Sequence, residues 1–169
     1  MPTSIRSEGT ADDAAIARVQ HAAFGREAEA DLVSALRHDG LAVLSLVALH
    51  SEIIVGHVMF SALRVEVSGR DLVATSLAPL AVAPVFQRRG YGSALVRAGI
   101  EGLRAKGCQA IIVLGDPAYY ARFGFSAGLT RNLIAPFRGP PFMGLELSAG
   151  ALTGHVGSVT YPPPFGLVA

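Results

Sequence analysis

The sequence predicts a mixed α+β fold, with a mainly antiparallel central sheet of about six or seven strands flanked by helices. Three observations predict it. The apolar runs 43–49, 53–65 and 72–82 follow one another across the short turns His50-Ser51-Glu52 and Ser68-Gly69-Arg70, the pattern of an antiparallel meander. The third run leads through a turn into a helix over 91–106 and then into the apolar run 110–114, which makes one strand–helix–parallel strand unit. At 169 residues, 51% of them apolar and 16% charged, the chain has the length and composition of one ordered domain spanning 1–169.

In chain order, residues 5–8 read as a first strand. Thr10-Ala11-Asp12-Asp13 offers an N-cap and early acids to a helix over 11–24, with Ala15, Ile16, Val19, Ala22 and Ala23 on its apolar face and Gly25 at its end. A second helix over 27–37 buries Ala28, Leu32 and Leu36 and carries Glu27, Glu29 and Asp31 near its start, where the helix dipole favours acids. Pro79 lies within the third meander run; it has no ladder donor and so points to a bulge or an edge. The helix over 91–106 groups Gly92, Leu95, Val96, Gly99 and Leu103 on one face and closes at Gly107. A late strand over 142–147 is expected to pair with the chain near Phe125. The loop 135–141 is long enough to border a substrate pocket, and 156–161 offers one more edge strand.

Composition narrows the function. A formal charge of +1 exerts no global pull toward nucleic acid or membrane, and aromatics are not interleaved with basic residues as in a nucleic-acid face. The charge-free stretches 72–87 and 147–169 are broken by prolines and do not read as membrane spans. Met1-Pro2-Thr3-Ser4-Ile5-Arg6 has no apolar core of signal-peptide length, which argues for a cytoplasmic protein. One cysteine, Cys108, excludes an internal disulfide and reads as a packed thiol. The five histidines are scattered without acids or thiols at ligand spacing, so no metal is expected.

The chemistry concentrates in Leu80-Ala81-Val82-Ala83-Pro84-Val85-Phe86-Gln87-Arg88-Arg89-Gly90-Tyr91-Gly92-Ser93. A strand that reaches a helix start through Gly-x-Gly presents backbone N–H groups without side chains in the way. The helix dipole and two arginines add positive charge, so a pyrophosphate suits this seat. A Rossmann fingerprint would need a third glycine where Leu95 stands, and no Gly-Lys-Ser/Thr follows for a Walker loop. A dinucleotide module keeps one point in its favour, since Asp116 falls roughly 25 residues past Gly92, near the usual offset of a ribose-binding acid.

The Gln87-x-x-Gly90-x-Gly92 pattern after Leu-Ala-Val-x-Pro, with Tyr120-Ala-Arg-Phe-Gly124-Phe125 downstream, resembles the signature of the GNAT superfamily of acyl-CoA N-acetyltransferases, in particular its YhbS-like branch. The resemblance extends from Ile5 to about Leu147. It implies an N-acetyltransferase with acetyl-CoA as co-substrate, in which an amine acceptor attacks the thioester directly. It further implies that the backbone of Leu80, Ala81 and Val82 aligns the pantetheine arm, which enters where a bulge splays the strand. The pyrophosphate would be held by Gln87, Arg88, Arg89, Gly90, Tyr91, Gly92 and Ser93, and the leaving thiolate would take a proton from Tyr120, with Tyr119 filling a core position. The chain departs from the family at its bases. Ser76 stands where several members carry a glutamate, 110–114 holds no acid, and Asp116 is the polar residue nearest to the family's missing asparagine. His57 and Glu66 remain as bases, although a histidine in an apolar strand also suits a hydrogen-bonded core. A non-catalytic CoA-binding or sensing domain is the alternative reading, and a homodimer is among the assemblies the resemblance allows.

Overall fold

The structure is a computed structural model that describes residues 3–166. Its elements are β1 (Ser4–Ser7), α1 (Asp13–Phe24), α2 (Ala28–His38), β2 (Ala42–His50), β3 (Ile53–Val67), β4 (Arg70–Val82), α3 (Tyr91–Ala105), β5 (Ala110–Leu114), α4 (Pro117–Tyr120), β6 (Leu133–Ile134), β7 (Phe142–Glu146) and β8 (Gly157–Thr160). Antiparallel pairings predominate, as expected for a mixed α+β fold. The residues group into two compact units, Met1–Ser61 with Ala78–Gly102 and Ala62–Leu77 with Leu103–Ala169, so β3 and β4 contribute to both.

In the first unit β1 pairs antiparallel with β2, Ser4 opposite Leu49, and β2 pairs antiparallel with β3, Val47 opposite His57. The Ala83 N–H donates to the Val55 carbonyl at 2.8 Å just past the end of β4. The Ala78–Pro79 bond within β4 is cis. Helix α1 buries Ile16, Val19 and Gln20, while Ala22 is exposed, so its inward stripe is rotated from the purely apolar one. A polar side chain, Gln20, takes the inward position because it has partners there. Helix α2 likewise buries Ala30, Val33 and Leu36 and leaves Ala28 exposed at its first turn. Thr10 does not cap α1. A 3₁₀ turn, Thr10–Asp12, precedes the helix, and the Asp12 carboxylate accepts the Gly9 N–H at 2.7 Å and pairs with Arg6 at 2.7 Å.

Helix α3 meets the strands of this unit through small residues. A Cβ on Gly99 would overlap the fully buried Phe60 ring, and one on Gly56 of β3 would stand 3.1 Å from Leu95 Cδ1. At Gly102 a Cβ would meet the flexible end of the Leu44 side chain, Cδ2 at 2.9 Å and Cδ1 at 3.9 Å.

In the second unit β3 turns into β4 through Ser68 (φ 50°) and Gly69 (φ 78°), a two-residue turn with both residues left-handed, as a tight hairpin requires. Strand β4 runs parallel to β5 from Ala74–Ala110 to Ser76–Ile112, which is the crossover the sequence implied. Strand β7 pairs antiparallel with β5 along its whole length and meets the chain near Phe125 in a single bridge, Ser126–Gly144. The tail strand exists as β8, antiparallel to β3 and parallel to β6. A Cβ on Gly157 would overlap the Glu66 carbonyl, so β8 approaches β3 closely only with glycine there. Phe142, Leu152, Ile112, Val65 and Val159 share the core of this unit. Cys108 is buried with its Sγ–H directed to the Ala110 carbonyl at 3.2 Å, and burial pushes its thiol above the usual value. Among the described residues no helix is long and apolar enough to cross a membrane.

The two α3 glycines respond differently to alanine. Alanine improves helix propensity by about 1 kcal/mol at either site. At Gly99 the rigid, enclosed Phe60 ring has no room to yield, and overpacking of this kind costs about 1–3 kcal/mol. Gly99→Ala should therefore lower the melting temperature while Gly102→Ala holds or raises it. Equal shifts of the two variants in thermal unfolding would contradict the packing described.

Candidate functional site

The loop between β4 and α3 is assembled within the first unit. A 3₁₀ turn, Pro84–Phe86, carries the chain from Val82 to Gln87, whose side-chain amide donates to the Val82 carbonyl at 2.9 Å and ties the loop to the strand end. Arg88 (φ 63°) and Gly90 (φ 91°) are both left-handed. Glycine adopts this region freely, but Arg88 does so at a cost of about 1–2 kcal/mol. Gln87, Arg88, Arg89 and Gly90 are all exposed, and among the described residues no carboxylate pairs with either arginine. The Ala94 N–H donates to the Gly90 carbonyl at 3.0 Å, which closes the first turn of α3; the N–H groups of Tyr91 and Gly92 precede that bond, as at any helix start.

Three rings brace the loop from beneath. Tyr91 is 5% exposed, with its hydroxyl oxygen 2.7 Å from His50 Nδ1. Phe86 packs against both rings, 5.0 Å from His50 and 6.0 Å from Tyr91 between centroids. The Arg89 guanidinium lies 5.3 Å from the Phe86 ring centre, a cation–π contact that holds its charge beside the loop. The Tyr91 side chain is thus committed inward, and only its backbone faces the helix start. Sequence patterning offered no sign of His50, which reads there as a turn residue. Leu80 and Val82 are half-buried and Ala81 is buried between them, with the Ala81 carbonyl 3.4 Å from a Cβ built on Gly56. Ser93 is half-buried in the first turn of α3.

His57 belongs to the core of the first unit. Its Nδ1 accepts from Gln20 Nε2 at 2.8 Å and its Nε2 lies 2.8 Å from Ser45 Oγ, all three groups being buried. Gln20 is the donor in the first contact, so the neutral ring carries its proton on Nε2 and donates to Ser45. Burial, and then the charge of Arg37, hold its pKa down to about 3. With both nitrogens occupied and no exposure, this imidazole is structural. Glu66 lies 3.9 Å from Arg64, and Ser76 is buried in β4.

Tyr120 belongs to the second unit and ends α4. Asp116 caps that helix, its Oδ1 accepting the Ala118 N–H at 3.0 Å, and Pro117 occupies the first turn. The Tyr120 ring packs against Gly115, where a Cβ would stand 2.5 Å from ring Cε2, and it contacts Tyr119 and Phe125 at centroid distances of 5.0 and 5.6 Å. At 8% exposure Tyr120 is the more buried of the two tyrosines, whereas Tyr119 is half-buried beneath the Arg122 guanidinium. The expectation that Tyr119 fills the core is therefore reversed, because Gly115 makes room for the Tyr120 ring. Burial, with Tyr119 as the second cause, pushes the Tyr120 phenol well above its ordinary value and keeps it protonated. Among the described residues no group of three or more His, Cys, Asp or Glu side chains is gathered to hold a metal ion.

Residues 13–125 match the family model described as the acetyltransferase (GNAT) family. The chain is 38% identical over 164 residues to the uncharacterized N-acetyltransferase YhbS of Escherichia coli K12, covering 95% of this chain and 97% of the relative. Its structure resembles that of the GNAT family N-acetyltransferase YhbS from Escherichia coli in complex with CoA, with a TM-score of 0.88 and 36% identity over 99% of this chain and 93% of the other. It also resembles a GNAT family acetyltransferase from Brucella melitensis in complex with acetyl-CoA, with a TM-score of 0.79 and 32% identity over 97% of this chain and 98% of the other.

The depressed His57 pKa has a consequence for stability. An unfolded histidine takes up a proton below its ordinary pKa of about 6.5, while the folded ring stays neutral down to about 3. Stability is thus full above the unfolded value and falls as the pH drops below it, by about 2 kcal/mol between about pH 7.5 and 5. Urea unfolding of wild type and His57→Gln over this interval should show the steeper loss in wild type. Parallel pH dependences would remove His57 as the cause.

Proposed function

We propose a function from one premise: the chain belongs to the acetyltransferase (GNAT) family. On it, the protein moves an acetyl group from acetyl-CoA to an amine. The observation that carries this reading is the loop of Arg88, Arg89 and Gly90, exposed ahead of α3 and without carboxylate partners among the described residues, in a chain whose relatives are described in complex with CoA or acetyl-CoA.

The donor set suits the group. A pyrophosphate is satisfied by backbone N–H groups and guanidinium charge, and the loop supplies both through Arg88, Arg89, Gly90, Tyr91, Gly92 and Ser93. Gln87 serves by holding the loop to Val82. Leu80, Ala81 and Val82 lie past Ser76, the last residue of β4 paired with β5, and their backbone groups suit the amides of a pantetheine arm. Such a reading treats 1–169 as one catalytic domain.

Acetyl-CoA supplies an activated acyl group as a thioester. The lone pair of a neutral amine forms the new N–C bond, the C–S bond breaks, the nitrogen sheds one proton to water and the thiolate gains one, giving an amide and free CoA. Tyr120 is the proton donor in this scheme, and the tyrosinate then regains a proton from the water that received the one shed by the nitrogen. A simple thiol has a pKa of about 8.5 and a phenol about 10, so the transfer is uphill in water. Burial raises the phenol further, so the scheme rests on the placement of the phenol and not on its acidity. Position carries the catalysis, and Gly115 and Asp116 set that position.

Two measurements bear on this reading. Gly92→Val and Arg88→Ala should each weaken CoA binding in calorimetry while the fold persists; for the arginine the loss should be roughly tenfold or more, the worth of a charge-assisted hydrogen bond. Wild-type affinity in both variants would displace the pyrophosphate from this loop. Tyr120→Phe keeps the ring and removes the proton, so CoA affinity should survive while kcat falls about a hundredfold to ten-thousandfold. Tyr119→Phe should turn over nearly as wild type. Unchanged kcat in Tyr120→Phe would end the general-acid role, and CoA binding without transfer to any amine would favour a sensing domain.

A further inference from the structure

In the second unit a cavity of about 710 Å³, a size typical of small-molecule sites, opens within the segment 127–142 and against Val156. Leu133, Phe137 and Phe142 give it apolar walls, and Arg131 and Arg138 stand among them. No Asp or Glu is among its described lining residues, and among the described residues neither arginine has a carboxylate partner. Unpaired guanidinium groups beside an apolar wall select a ligand with an anionic head and an apolar body, and a carboxylate matches the planar fork of arginine.

The wall is tied to the tyrosine segment. Phe142 pairs with Leu114 in the β5–β7 ladder, and the next residue, Gly115, donates its N–H to the Pro141 carbonyl at 3.0 Å. Gly115 is also the residue against which the Tyr120 ring packs. On the other side, the Thr130 hydroxyl donates to the Phe142 carbonyl at 2.7 Å and fixes the floor.

We propose that this cavity binds the acceptor, and that the acceptor is an amine carried on an apolar carboxylic acid, such as an apolar amino acid. The inference rests on the acetyltransferase reading. The two cations anchor the carboxylate and also disfavour an ammonium group near them, so the bound amine is held closer to the neutral form that attack requires. This accounts for a chain with Ser76 and an acid-free β5 where a carboxylate base would otherwise stand.

The test compares wild type with the double variant Arg131→Gln/Arg138→Gln, whose substitutions are at exposed positions, after circular dichroism has shown both to be folded. Calorimetry with 3-phenylpropionate and 3-phenylpropionamide reads the carboxylate preference, and thiol release from acetyl-CoA with phenylalanine, leucine and methionine, against their amides, reads the acceptor role. Wild type should bind the acid roughly tenfold to hundredfold more tightly than the amide and turn over at least one amino acid with a similar preference in kcat/KM. The double variant should lose both preferences at unchanged CoA affinity. Equal binding of acid and amide, a preference retained in the double variant, or no release from any of the three amino acids would overturn the proposal. Failure of wild type to bind CoA in the same calorimeter would instead overturn the acetyltransferase reading, and the acceptor role with it.

Discussion

Helix α3 can lie on β3 only because Gly99 presents no side chain to the Phe60 ring. That one approach sets the height of the helix over the strands of the first unit, and Gly56 beneath Leu95 repeats it toward the helix start. The position of the first turn follows from it. Once Tyr91 sits against His50 and Phe86, the chain from Val82 must cover the remaining distance through two left-handed residues, and a side chain as large as Arg88 is held in a conformation it disfavours. The exposed arginines and the helix start are brought together by packing that lies well below them.

The polar triad of Gln20, His57 and Ser45 performs a different task in the same unit. It links α1 to β2 and β3 through two hydrogen bonds that exist in only one register, with Val47 opposite His57. A slip of one residue would turn the imidazole to the other face and leave three buried polar groups without partners. An apolar core holds such a register less strictly, since its contacts have no direction. The same triad removes His57 from any chemistry.

In the second unit the constraint is the room that Gly115 leaves. It admits the Tyr120 ring, and the burial that follows keeps the phenol protonated at any ordinary pH. The backbone of Gly115 meanwhile joins the wall of the Arg131 and Arg138 cavity through Pro141. The Tyr120 ring and the wall of that cavity therefore meet at one short, well-capped segment, and a side chain at Gly115 would disturb both.

Elements and connections were legible in the sequence wherever local chemistry decides them. The meander, the parallel crossover from β4 to β5 and the glycine loop ahead of α3 each follow from periodicity, turn residues and backbone freedom, which act over a few neighbouring residues. Sequence also carried the family, through the order of Gln87, Gly90, Gly92, Tyr120 and Gly124. It could not show that Gln20 faces inward, because a glutamine reads as solvent-facing until a partner from another strand is known. Nor could it assign the buried tyrosine, since Tyr119 and Tyr120 differ in burial only through the space above Gly115. The partner of β7, the seating of β8 between β3 and β6, the brace of His50 beneath the loop and the meeting of Arg131 with Arg138 all join residues distant in the chain. Those pairings are settled by shape and by the satisfaction of buried polar groups, which only the folded structure brings together.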